Sequence, residues 1–182
     1  MLRPRRAWWW LALLGALGVQ AFAPTKAMAV AVIFAWVLVL DVFARLLLRE
    51  HETRTEALVF TAPHMRLRLL AVRTIVGIGL AWTITLPALL RLTAVHPQAA
   101  LATLVAGLSL PLWGMATGAL FRNGRLFELL VLAAAYVSAQ GALVLNVAVA
   151  PMATVRWHLL ALPLALGVLA LRWRKSAEWA RH

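Results

Sequence analysis

The 182-residue chain has no cysteine, a single tyrosine and only six acidic residues. Without cysteine there is no disulfide framework, no thiolate metal site and no cysteine nucleophile. Charged residues make up 13% of the chain, about half the share usual in a soluble domain. No phosphate-cradling Gly-x-x-x-x-Gly-Lys-Ser/Thr loop occurs, so the chain cannot hydrolyse ATP by that route. No internal repeat, low-complexity linker or second domain is visible. What is present is apolar: 64% of residues are hydrophobic. A soluble fold of this size leaves too much surface exposed to hide that fraction. Lipid removes the difficulty, and the sequence predicts an all-α polytopic membrane protein, one transmembrane domain over 1–182.

Hydrophobic runs near 20 residues match a hydrocarbon core about 30 Å thick at about 1.5 Å per residue. Six such runs predict a six-transmembrane-helix bundle, with spans at 8–23, 27–48, 69–90, 98–121, 126–149 and 158–171. A charged segment, 49–68, separates the second and third. Basic residues in short loops set orientation. With the N-terminus in the cytoplasm, fifteen of the 18 Lys/Arg fall on the cytoplasmic side. Lys26, Arg91 and Arg156 fall outside. Both termini are then cytoplasmic. The formal charge of +12 is a topology signal, and nucleic acid is not an expected partner. Residues 1–29 also have the basic, apolar and small-residue regions of a signal peptide. Pro24 after Ala-Phe-Ala disfavours cleavage there. The apolar run that follows at once favours a retained first helix.

Polar groups inside a membrane are costly and mark candidate sites. Asp41 is the one acid well inside a span, and Arg45, four residues on, shares its helix face. The pair reads as a structural ion pair or as a polar lining of a transport path. Gln20, Gln140 and Asn146 are the other intramembrane polar candidates, with interhelical hydrogen bonding as the simpler role. The five histidines, His51, His64, His96, His158 and His182, fall at span ends or in the tail. No two are expected to face each other, so no haem or metal site is expected. No Ser/His pair is expected in facing spans either, which leaves a catalytic centre without parts. Gly114 and Gly118 form a Gly-x-x-x-Gly spacing that suits close helix packing, within or between chains. Pro87, Pro111 and Pro163 are candidate kinks. Most tryptophans lie near span ends, as in an aromatic belt.

The segment after span two is the most informative. It holds Glu50, Glu52 and Glu56, half of all the acids, and turns amphipathic at Ala57, Leu58 and Phe60. Thr55 can cap a short helix that Pro63 ends. A helix resting on an anionic leaflet would carry bases alone. Mixed charge fits a protein partner better. This stretch resembles the cytoplasmic motif of type-2 ABC exporter permeases. That family carries Glu and Arg, then Gly-Thr, an acid, a Leu, and a Pro eight residues after the Thr. Here Arg49, Glu50, Glu52, Thr55, Glu56, Leu58 and Pro63 fill the pattern. Arg54 stands where the family has Gly, and the acid follows Thr55 directly. A second likeness lies at Phe121-Arg122-Asn123-Gly124-Arg125-Leu126-Phe127-Glu128, where some bacterial members have a similar Arg-x-x-x-Phe-Glu turn.

The resemblance implies a permease subunit of an ATP-driven exporter in the bacterial cytoplasmic (inner) membrane. Residues 50–63 would form a short cytoplasmic coupling helix between helices 2 and 3, seated in a groove of a P-loop ATP-binding subunit. No cofactor would be bound directly, because the partner hydrolyses ATP. Two permeases, as a homodimer or heterodimer, would pair with two ATPases. Spans one, two and five would line the path. The outer loops are short for this family, and a half-length member is compatible with them. The alternative is a structural or assembly membrane protein without transport. A small membrane enzyme or proton-coupled carrier is a third reading, and it would need a relay of acids or histidines for which Asp41 alone is at hand.

Overall fold

A computed structural model describes residues 7–48, 65–140 and 145–179. Among them the secondary structure is entirely helical. The elements are α1 (Ala7–Phe22), α2 (Thr25–Leu38), α3 (Leu40–Ala44), α4 (Met65–Thr83), α5 (Leu86–Val95), α6 (Pro97–Phe121), α7 (Arg125–Ala139) and α8 (Pro151–Trp179).

The organising element is α6. It is apolar all round, as a helix surrounded by others must be. Small residues dominate its contacts: Ala99, Ala102, Ala106, Gly107, Ser109, Gly114, Ala116 and Gly118 are all buried. They let α3, α4, α5, α7 and α8 close around it. The approach is tightest at Gly114, where an added Cβ would lie 2.6 Å from the Phe43 carbonyl oxygen. At Gly107 it would lie 2.8 Å from the Trp82 ring. The Gly114/Gly118 spacing therefore serves packing within the chain. Outward, large apolar side chains are exposed, among them Leu11, Phe22, Leu129, Leu160 and Leu171. Such a surface suits acyl chains rather than water.

By length and composition, α6 and the Pro151–Leu171 part of α8 are long enough to cross a membrane. A third span results if α4 and α5, bent by 65°, count as one. The 16 residues of α1 and 14 of α2 reach only about 24 and 21 Å. The described residues thus carry two or three of the six expected spans at membrane length.

Three expected spans are interrupted. The run 27–48 breaks at Val39 into α2 and α3. There Val42 N–H bonds Val39 O, and the Leu38 carbonyl is taken by Trp9 Nε1–H at 2.9 Å. The run 69–90 breaks at Ile84 and Thr85. Pro87 follows in the first turn of α5, where its missing N–H is harmless. The Thr85 hydroxyl bonds the Ala81 carbonyl at 2.9 Å. In the run 126–149, α7 ends at Ala139 with Gln140 as its cap, and turns occupy 147–149. Hydropathy does not register the breaks at Val39 and Ile84, because those residues are themselves apolar. Pro111 and Pro163 interrupt neither α6 nor α8. The helix of the expected sixth span, α8, starts at Pro151, seven residues before that span. Between α6 and α7 the chain turns through Arg122 at φ 52°, a left-handed conformation that costs a non-glycine residue about 1 kcal/mol. Asn123 Oδ1 then accepts Arg125 N–H at 2.9 Å.

Gly114→Ala should destabilise the purified chain by about 1–3 kcal/mol through overpacking against Phe43. Gly15→Ala, which meets nothing within 4 Å, should leave stability unchanged or slightly raised. Thermal unfolding in detergent checks both, and equal losses would contradict the close approach.

Candidate functional site

The sequence-predicted site residues fall into three groups. The coupling segment, Arg49, Glu50, Glu52, Thr55, Glu56, Leu58 and Pro63, lies outside the described residues. Its flank is described. Ala44 and Leu48, at the end of the broken second run, pack against α6 and the α6–α7 turn. A Cβ on Gly118 would lie 3.5 Å from both Ala44 O and Leu48 Cγ, and one on Gly124 would lie 3.0 Å from Ala44 Cβ. Ala44 and Leu48, the described residues that lead into the mixed-charge segment, thus lie beside α6 and the turn that follows it.

The second group is dispersed. Asp41 is half-buried in the first turn of α3. Arg45 caps that helix and is exposed. Gln140 is exposed at the end of α7, where its backbone N–H bonds Tyr136 O and Val137 O. Asn146 stabilises the turn before α8: its Oδ1 accepts Val149 N–H at 3.1 Å, and its carbonyl accepts the Thr154 hydroxyl at 3.2 Å. Gly114 and Gly118 are packing residues. These side chains do not converge on one site.

The third group does converge. Gln20 is fully buried. Its Nε2 donates to Ile84 O at 3.1 Å, the carbonyl at the α4–α5 break. Arg91, on α5, reaches back and donates to Gln20 O at 2.9 Å and Ala23 O at 2.8 Å. Those are carbonyls at the C-terminal end of α1, where helices leave acceptors open and favour cations. The two helices thus cap each other. Gln20 Oε1 has no hydrogen-bond partner among the described residues. Beside this clamp lies a cleft of about 230 Å³, lined by Thr25, Val95, His96, Pro97, Gln98, Ala99, Ala148 and Pro151. It opens at the starts of α2, α6 and α8, the end of α6 opposite Gly118.

One expectation requires correction. His158 is buried inside α8 rather than at the start of its helix, and a Ser/His pair does exist. The Ser109 side chain is hydrogen-bonded to His158 Nδ1, and both residues are buried. The pair joins α6 to α8, the two helices of membrane length. His158 was misplaced because the hydropathy reading starts the last span there. The helix begins at Pro151, which carries the ring about two turns inward. The residues are 49 apart in sequence, so only the three-dimensional arrangement reveals the pair. A polar residue in each of two long apolar runs was the available signal. Among the described residues, no group of three or more potential metal ligands occurs.

Arg91→Met should destabilise the chain by about 1–3 kcal/mol, since two carbonyls lose a charged donor in apolar surroundings. Arg156→Met, at an exposed position, should change stability by less than about 0.5 kcal/mol. Thermal unfolding of the two variants in one detergent separates these outcomes. Comparison with protein-family models, with curated proteins and with solved structures finds no match to this chain.

Proposed function

We propose that the chain is the permease subunit of an ATP-driven exporter, with residues 50–63 docking on a separate P-loop ATPase. In this reading six membrane segments, some of them broken, lie in a bacterial inner membrane with both termini inside. Two permease chains flank the substrate path. The observation that carries the reading is the pairing of two likenesses at one end. Ala44 and Leu48 lead into the mixed-charge segment, and they pack against Gly118 and Gly124 beside the Phe121–Glu128 turn. A partner on that end would meet both stretches. Arg122 and Arg125, both exposed there, agree with a cytoplasmic face. Motion of the docked segment would be transmitted through α3 to α6, because their contact at Gly114 leaves no slack.

A second reading, a membrane assembly or scaffold protein without transport, draws support from the dispersed polar side chains. Gln140 is exposed at a helix end, and the Asn146 side chain serves a turn.

The deciding experiment is recovery of the tagged chain from its native membrane in mild detergent, with mass spectrometry of its companions. A P-loop ATPase should accompany the wild type. Glu56→Arg with Leu58→Asp should lower its recovery at least about tenfold, or about 1.4 kcal/mol of binding, without loss of the permease from the membrane. Intact chain with no ATPase in several detergents would favour the scaffold reading. Equal ATPase recovery with both variants would remove the role assigned to 50–63.

A further inference from the structure

The exporter reading uses Arg122 and Arg125 only as markers of side. Their setting carries more. Ala44 ends α3, and Gly124 precedes α7. A Cβ on Gly124 would lie 3.0 Å from Ala44 Cβ and 3.4 Å from Ala44 O. Arg45 and Arg125 are the residues that follow these two, and Arg122 lies two positions before Gly124. Three arginines from two separate stretches of chain thus start from one contact. All three are exposed. Among the described residues, none of the three side chains has a hydrogen bond or an ion pair. Asp41 and Glu128 lie one turn from Arg45 and Arg125, and both are half-buried. Two carboxylates do not balance three guanidinium groups. Like charges gathered at one exposed point repel, and a bound anion relieves that repulsion.

The neighbouring surface narrows the kind of anion. Arg122 follows the last residue of α6, a helix of membrane length, which sets the arginines at headgroup depth. Phe121, just before Arg122, is exposed. On α7, Leu129, Leu132 and Tyr136 stand four, seven and eleven residues after Arg125, the spacing of one helix face. All three are exposed, whereas Phe127 and Val131 on the opposite side are buried. The outward face of α7 is therefore a stripe about 16 Å long, with a cation at its head and apolar side chains below. A soluble anion or an acidic protein surface matches only the head. An anionic phospholipid matches both parts.

We propose that Arg45, Arg122 and Arg125 hold the phosphodiester of one anionic phospholipid, whose acyl chains lie along Leu129, Leu132 and Tyr136. Guanidinium groups suit this role, because their planar donors meet phosphate oxygens in pairs. Each cation near an anionic headgroup strengthens binding about fivefold. A zwitterionic headgroup offers the same phosphate but brings an ammonium into the cluster, so it binds more weakly. The inference rests on the membrane placement of α6 and not on an ATPase partner.

The test gives the full chain, purified in mild detergent, equal amounts of phosphatidylglycerol and phosphatidylcholine of one chain length. Native mass spectrometry then counts the lipid retained. Phosphatidylglycerol should be retained about tenfold or more over phosphatidylcholine. Arg45→Gln with Arg125→Gln, neither at a left-handed backbone position, should bring it down to the phosphatidylcholine level. Leu132→Asn, with every arginine in place, should lower it at least about threefold. Arg156→Gln, exposed near the start of α8, should change nothing. Equal retention of the two lipids, or retention unmoved by the paired arginine variant, overturns the proposal. So does displacement of phosphatidylglycerol by water-soluble glycerol phosphate at the same concentration, which would make this a site for free anions. Should the paired variant not fold, Leu132→Asn and the glycerol phosphate competition decide alone. Unmoved retention in the first, or displacement in the second, removes the lipid.

Discussion

Every backbone carbonyl that a broken helix releases into an apolar interior must find a donor, and this requirement governs the structure. In water a break costs little, because solvent replaces the lost bond. In hydrocarbon each orphan costs several kcal/mol. The two best-defined breaks here are both served by α1. Trp9 takes the Leu38 carbonyl, and Gln20 takes the Ile84 carbonyl. In return Arg91 takes two carbonyls at the end of α1. The first helix is accordingly more than an anchor. Its indole and amide are what make the irregular backbone of α2–α3 and α4–α5 tolerable.

The central helix supplies the complementary constraint. Where α1 satisfies backbone polarity, α6 removes side-chain bulk. Gly114 accepts the backbone of α3 at a distance no side chain would allow, and Gly107 accepts the Trp82 ring. Trp82 also donates its indole N–H to Leu104 O at 3.1 Å, so the same close approach yields both dispersion and a hydrogen bond. Tight packing of this kind transmits displacement poorly by degrees and well as a unit. The contact of α3 with α6 at Gly114 is of this kind, and α6 is also the helix that holds Ser109.

Much of this was legible in the sequence where one property dominated. The all-helical class followed from apolar content. The fourth run, 98–121, matches Pro97–Phe121 closely because turn-forming His96-Pro97 and Arg122-Asn123-Gly124 bracket an unbroken apolar stretch. Legibility failed where partners are distant. Val39 and Ile84 look like ordinary span residues, and the carbonyls released at their breaks are met by donors 29 and 64 positions away. Gln20 was visible as a polar intramembrane residue, but not its target. Ser109 and His158 were unremarkable singly, since a serine is easily absorbed in a helix and a histidine at a span end is expected. Asp41 and Arg45, prominent in one dimension, end up half-buried and exposed on a short broken element.

The reliance of both breaks on α1 bears on how the chain is made. Synthesis delivers Trp9 and Gln20 to the membrane before the backbone groups they will bind. When the stretch around Val39 is made, its donor has already been made. The same holds for Ile84, which follows Gln20 by 64 residues. The carbonyls of Gln20 and Ala23 wait for Arg91, but they sit at a helix end where water and lipid headgroups can serve in the interval. At both of these breaks the donor thus precedes its acceptor along the chain, and is made first.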